Sequence, residues 1–328
     1  MMHDEWNRRR FMGAVAAGGA LLGVGRTAHA ALPDLIRFVV SYAPGGSSDL
    51  LFRALAESIS RRTKRTVLVE NKPGAGGLVA MQSTKSAPAD GSVLFVSSAA
   101  SIIQSVNPAN RVRLDREFAP IVLTHRGQFT LFTNAAVPVT TFKELIAYDR
   151  ANPGKLSYAS FGIGAQIHLA MELLRQKTGM TLTHVPYKSN TEAILSVLKG
   201  ETHVSLNPYS GLKQHIDAGK LRALAVMSKD PSPDAPGVPG LRDSGVDGPE
   251  VSFWFGVNAP AGTPDATLQW LNQEINVGLR EPAAQAIIRD QFGAETVGGP
   301  REDFARVIAT EMKTYEDVIR TANIKFDS

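Results

Sequence analysis

The stretch "SYAPGGSSDLLFRALAESISRR", residues 41–62, decides how the rest of the chain is read. Ahead of it, Leu35-Ile36-Arg37-Phe38-Val39-Val40 is short, β-branched and aromatic, the make-up of a buried strand. Within it, Leu50, Leu51, Leu55 and Ile59 recur at helical spacing, so Pro44-Gly45-Gly46-Ser47-Ser48 is a strand-to-helix turn. Glycine lets a backbone approach a ligand closely, and the first N–H groups of a helix lack intrahelical acceptors and carry partial positive charge. Such a turn can hold an anion. Asp49, just inside the helix, reads as a dipole-complementing or hinge residue rather than a general base.

Outward from this turn, strands alternate with helices. Strands are expected at 65–70 and 93–96, the first followed by the glycine-rich 71–77 and a helix through Met81 and Ser83, the second closed by Ser97, Ser98 and Ala99. A second set follows: strands at 129–133, 156–160, 182–185, 203–206 and 220–226, helices opening at Thr141 and running over 169–176 and 191–198. "FGIGAQIH", residues 161–168, is a second glycine turn between strand and helix. Residues 228–248, rich in Pro, Gly, Asp and Ser, read as a long loop, and 251–257 as one more strand. The remainder is helical at 266–279 and 301–319, with a short strand near 294–297. This alternation predicts an α/β fold of two similar halves, each a largely parallel sheet flanked by helices, with ligands gathering beyond the carboxyl ends of the strands. If the C-terminal helices cover the first half, the chain crosses twice between lobes around a hinged cleft.

The first 30 residues read as an address rather than as fold. Arg8-Arg9-Arg10-Phe11-Met12 precedes a Gly/Ala-rich apolar run over 13–24, and Ala28-His29-Ala30 is a small-x-small cleavage site, the pattern of a twin-arginine export signal. Cleavage after Ala30 would leave 298 residues in the periplasm, a length that suits two domains, with a net charge of +2 out of the full chain's +4. So small a charge, without basic clusters beyond Arg61-Arg62 and Lys64-Arg65, argues against a nucleic-acid footprint. The chain has no cysteine, which excludes disulfides, thiol nucleophiles and thiolate metal sites.

Other chemistries find little support. The first turn lacks the lysine of a phosphate-binding loop, and the second lacks the third glycine of a dinucleotide fingerprint. His125, His168, His184, His203 and His215 show no metal-binding spacing, and neither Ser47 nor Ser160 sits in a nucleophile elbow or has a base that sequence can place beside it. No metal, cofactor or catalytic residue is expected. Two helix N-termini, at 46–49 and 164–168, explain the turns better: backbone amides with hydroxyls from Ser47, Ser48, Ser97, Ser98 and Ser160 can fix carboxylates.

The segments "APGGSSDLLFR", "VENKPGAGG", "FAPI", "SFGIGAQIHLAMELL", "HVPYK", "IDAGKLRALAVMS", "WFGVNAPAGTP" and "IRTANIK", in that order from about residue 35 to 325, resemble the substrate-binding proteins of the tripartite tricarboxylate transporter system, the Bug family. The resemblance implies a periplasmic, two-lobed, type II binding-protein fold with lobe 1 at 31–129 and 256–328 and lobe 2 at 130–255, closing on a small organic anion. It further implies that the loop Tyr42–Asp49, chiefly Ala43, Gly46, Ser47 and Ser48, and the loop Ser160–His168, chiefly Ser160, Gly162, Gly164 and Gln166, pinch the ligand, with Tyr187 and Lys188 as wall residues. The implied partners are the membrane permease subunits of such a transporter; a sensor kinase receiving ligand occupancy, or an exported hydrolase, are the alternatives. Four departures fall near the expected pocket: Ala165 where the family usually has a hydroxyl residue, Ser189 for a glycine, Asn207 for a frequent aspartate, and "VPGLRDSG" at 238–245.

Overall fold

The computed structural model describes residues 32–326, so the arginine pair and the Ala28-His29-Ala30 site lie outside the described residues. The first elements are β1 (Leu35–Val40), α1 (Ser47–Thr63), β2 (Thr66–Asn71), α2 (Leu78–Lys85), β3 (Val93–Ser98), α3 (Ala99–Val106), α4 (Leu114–Glu117) and the long β4 (Phe118–Asn134). The second run is α5 (Phe142–Ala151), β5 (Ser157–Ser160), α6 (Gln166–Thr178), β6 (Thr183–Pro186), α7 (Asn190–Lys199), β7 (Val204–Pro208), α8 (Lys213–Asp217) and β8 (Leu221–Val226). The chain then returns through β9 (Ser252–Pro260), α9 (Asp265–Leu279), α10 (Pro282–Ile287), β10 (Glu295–Thr296) and α11 (Arg301–Thr321).

Each glycine turn leaves the carboxyl end of a strand that has parallel neighbours on both sides. β1 lies between β2 and β3, and β5 between β6 and β7. Alternation along β1 serves two layers: Ile36, Phe38 and Val40 pack with Leu51, Phe52, Leu55 and Ile59 of α1, while Val39 faces Phe95 and Ile102. The helical spacing of leucines in the opening stretch therefore marks the face of α1 that covers the sheet. A separate cluster built from Phe129, Leu131, Tyr158, Met171 and Leu174 fills the second set of strands and helices.

The two sets are joined by β4, which is far longer than the strand expected at 129–133. Its residues 118–128 pair antiparallel with β9, and from Phe129 onward it pairs with β7 and β8. Pro120 and the polar Thr124-His125-Arg126-Gly127-Gln128 break the apolar alternation that marks a strand in sequence. The ladder absorbs them with register shifts between Pro120 and Val122 and between Leu123 and His125. The strand expected at 93–96 runs on through Ser98, and the residues expected to close it lead directly into helix α3, which the sequence reading does not anticipate. The loop at 228–248 holds no helix or strand and is tied down by Val226, Ala235 and Val238 packing together.

Gly127 sits where β4 passes from one set to the other. A Cβ there would lie 2.2 Å from the Phe253 ring, and Phe253 packs against both the α1-side and the α6-side clusters. Glycine thus makes room for the one ring that bridges the two cores at the crossover. Gly127→Ala is expected to cost about 1–3 kcal/mol through overpacking, read by urea unfolding, and adding Phe253→Leu should recover most of the loss.

Candidate functional site

The first turn is held open by a carboxylate beneath it. Asp49, buried in the first turn of α1, accepts from the Gly45 amide (3.0 Å), Arg53 Nε (2.9 Å) and Asn71 Nδ2 (3.0 Å). Asn71, at the end of β2, also donates to the Tyr42 carbonyl. The Arg53 hydrogen bond leads the causes that hold the Asp49 carboxyl down at about 2. Gly45, at φ +80°, takes the left-handed conformation that brings its amide onto Asp49. Asp49 is therefore spent inside its own loop, and the sequence spacing Asp49–Arg53, one helical turn, was the available signal for that pair.

What this leaves outward is backbone. Gly46 is the N-cap of α1, no side chain caps it, and Tyr42, Ala43 and Gly46 are exposed beside the half-buried Ser47. The first amides of α1, from Ser47 to Asp49, precede the first intrahelical bond, which is Leu50 N–H to the Gly46 carbonyl. Ser48 is buried. The Tyr42 hydroxyl meets Ser98 Oγ at 3.2 Å, and its ring lies 5.5 Å from that of Phe255. Ser98 in turn opens α3, with Ser101 Oγ accepting from its amide. Ser97 faces inward: fully buried, it bonds the Gly256 carbonyl and accepts from Asn258 Nδ2, which ties β3 to β9.

The second turn is also fixed from behind. Ser160 Oγ lies 2.7 Å from His184 Nε2 and 3.1 Å from the Gly162 carbonyl, and accepts from the Gly162 amide. The His184 neighbour was invisible in sequence, because only the parallel pairing of β5 with β6 brings it alongside. His168 Nδ1 accepts from the Gly164 amide at 2.9 Å, and its ring stacks on His184 with centroids 4.0 Å apart and planes at 7°. Tyr158 stacks on His184 and donates to Glu172, which Arg175 also engages. Burial pushes both imidazoles down, His184 to about 4, so both are neutral at pH 7. A histidine with so low a pKa is a weak general base at neutral pH, and here the Ser160–His184 contact pins the turn.

Ala165 is the N-cap of α6 and, lacking a hydroxyl, leaves that terminus without a side-chain cap. The amides of Gln166, Ile167 and His168 precede the first intrahelical bond, made by Leu169 N–H to the Ala165 carbonyl. Gln166 donates to the Ser252 carbonyl at the start of β9, so its side chain reaches the crossover strand. Leu169 joins Ile102 and Ile103 of α3 in one cluster, which sets the start of α6 against the helix that Ser98 opens. Asn207, buried, accepts from Asn190 Nδ2. Tyr187 is half-buried with its amide on the Ser160 carbonyl, and Lys188 is exposed beside Glu192, whose carboxylate takes the Lys188 amide. Ser189, the departure from glycine, caps α7 by accepting from the Glu192 amide.

The family model described as "Tripartite tricarboxylate transporter family receptor" matches residues 51–324. The chain belongs to this TctC receptor family. Among curated relatives, BugT of Bordetella pertussis is 30% identical over 314 residues, covering 95% of each chain. A UPF0065 protein from the tcbD-tcbE intergenic region of Pseudomonas sp. strain P51 is 33% identical over 286 residues, 87% of this chain and 85% of that one. Among solved structures, the periplasmic binding protein BugD aligns with a TM-score of 0.70 at 30% identity, covering 89% of this chain and 98% of BugD. The R. palustris protein Rpa4515, solved with adipate, aligns with a TM-score of 0.74 at 28% identity over the same shares. This TctC receptor is thus an α/β solute-binding protein of the two-lobed periplasmic type, and the family implies a periplasmic setting, a small ligand and membrane transporter partners. No helix among its described residues is long and apolar enough to cross a membrane.

The buried, neutral histidines give this receptor a defined acid response. The unfolded chain, with imidazoles near 6.5, binds more protons than the folded one between about pH 6.5 and 4, so stability falls as pH drops through that window. His184→Gln is expected to flatten the fall, measured by urea unfolding at pH 7, 5.5 and 4.5; an unchanged slope would remove the histidine stack from the response. Asp49 works in the opposite range: its folded value near 2 lies below the unfolded 3.8, so its contribution is complete above about pH 4 and fades below. Asp49→Ala is expected to cost about 2 kcal/mol at pH 7.

Proposed function

We propose that this receptor captures a small organic anion, a mono- or dicarboxylate or a related compound, between its two glycine turns and delivers it to a tripartite tricarboxylate-type membrane permease. Lobe 1 comprises residues 31–129 and 256–328, lobe 2 residues 130–255, and export precedes function, with the leader cleaved after Ala30. The observation that carries the reading is that α1 and α6 both begin at a glycine turn with no side chain on their N-terminal amides. A helix N-terminus without a side-chain cap favours an anion through its N–H groups and dipole; that of α1 is exposed, while that of α6 is half-buried with the Phe326 ring against Gly164. Binding needs no buried positive side chain, because Lys188 is exposed and the carboxylate of Asp49 is already neutralised within the loop. The adipate held by Rpa4515, at 28% identity, supports a carboxylate as the ligand class. A ligand that touches both lobes stabilises the closed state by its differential affinity, and that state is what the permease receives.

Two substitutions at one position separate backbone from side-chain recognition. Ser47 is the first residue of α1, and Gly46 before it is extended at φ −78° and ψ 168°, a conformation that precedes proline without strain. Ser47→Pro removes an amide N–H while keeping the helix, whereas Ser47→Ala removes only the hydroxyl. Under this reading, Ser47→Pro weakens dicarboxylate binding about tenfold or more, and Ser47→Ala weakens it by less, by calorimetric titration. In the unmodified protein a dicarboxylate at a hundred times its Kd should add about 2.7 kcal/mol of stability, seen as a rise in Tm. A screen of mono- and dicarboxylates without any rise would defeat the proposal.

A further inference from the structure

A cavity of about 440 Å³ lies outside both glycine turns, between β4, the entry to β9, and the bodies of α6 and α11, with Ser252 of its wall accepting from Gln166 of the second turn. Its size falls within the range of small-molecule sites, about 300–1,000 Å³. Its charges do not cancel. Asp303 and Arg306 on its rim pair with each other, but Arg126 of β4, Glu250 and Glu311 of α11 have no ion-pair partner among the described residues. Arg126 Nε and Glu311 Oε2 are shut away from solvent without a hydrogen-bond partner, and the Trp254 indole N–H lies close enough to the Glu311 carboxyl to favour its ionised form. Between these groups the wall is mixed, with apolar Leu173 of α6 and Val307 of α11 alongside polar Thr310 and Thr314 of α11.

We propose that this cavity is a second binding site, for a small zwitterion of the α-amino acid type with an apolar side chain. The guanidinium of Arg126 takes the carboxylate, Glu311 and Glu250 take the ammonium, and Leu173 and Val307 cover the side chain. A simple carboxylate would leave the enclosed Glu311 carboxylate unmatched, and a simple amine would leave Arg126 so; unpaired charge held out of water is costly, whereas the exposed Glu250 adds only a charge at the rim. Burial pushes the Glu311 carboxyl up to about 7, against the pull of Trp254 and Arg126. Arg126 and Glu250 face it across the cavity, the paired Asp303 and Arg306 share its helix, and Tyr315 lies one turn on. Ionisation of Glu311 therefore strengthens ammonium binding as pH rises through 7.

The test is calorimetric titration of the purified protein with L-leucine, with 4-methylpentanoate, which lacks the ammonium, and with isopentylamine, which lacks the carboxylate. Leucine should bind saturably, the other two at least tenfold more weakly, and leucine affinity should rise several-fold from pH 6 to pH 8. Arg126→Gln and Glu311→Gln should each weaken leucine at least tenfold, and Glu311→Gln should abolish the pH dependence. Should either variant fail to fold, the pH profile and the three-ligand comparison in the unmodified protein still decide. Absence of leucine binding, equal binding of the carboxylate, a flat pH profile, or unchanged affinity in both variants would each overturn the proposal. No residue of either glycine turn lines the cavity; because 4-methylpentanoate also belongs to the class assigned to the turns, the three titrations are repeated with Ser47→Pro, which weakens binding at the turns without touching the cavity.

Discussion

The antiparallel pairing of β4 with β9 is the constraint on which the molecule is organised. β4 runs 17 residues, and its first part is paired with β9 before its last part joins β7 and β8. One backbone ladder therefore belongs to both sets of strands, and the chain traverses it once in each direction. The ladder also reaches both glycine turns. β9 carries Ser252, which receives Gln166 at the start of α6, and Phe255, whose ring packs tilted against Tyr42 of the first turn. Gly127 and Phe253 fit together at the point where the ladder changes partners.

The turns share a second feature, that Asp49 behind the first and Ser160 and His168 behind the second are buried and bond the turn's own backbone. Asp49 binds its own loop through Gly45, Arg53 and Asn71; Ser160, His168 and His184 bind the loop after β5. The effect is the same on both sides. The backbone is hydrogen-bonded from behind, which under the proposed function leaves its N–H groups already placed for an anion and spares the cost of ordering the loop. Low histidine pKa values belong to this design: a protonated His168 or His184 would break the stack that supports the second turn.

Much of this was legible in the residues. β1, the turn and α1 follow from "LIRFVVSYAPGGSSDLL" alone, and the cap at Thr141 is where the threonine suggested it, accepting from the Glu144 amide at 3.1 Å. Helices and strands with clean periodicity were found within a few residues of their ends. The missing pieces have physical causes. The first part of β4 is a strand because of its partners, with bulges that absorb Pro120 and the polar run, and no local pattern announces it. Ser97 reads as a loop donor until β9 supplies Asn258 beside it. The Ser160–His184 contact spans 24 residues and exists only through strand pairing. In each case the deciding interaction is tertiary, and a single sequence carries periodicity and turn chemistry but not which strand lies next to which.

The central claim is that an organic anion is held by the backbone amides that open α1 and α6. The most direct measurement is an amide-resolved NMR titration of isotope-labelled protein with adipate, chosen because a relative at 28% identity has been solved with it. The account predicts the largest shifts, in the direction of stronger hydrogen bonding, at the amides of Ser47 to Asp49 and Gln166 to His168 together. Shifts confined to one turn, or centred on side chains elsewhere while both sets of amides stay unmoved at saturation, would contradict it.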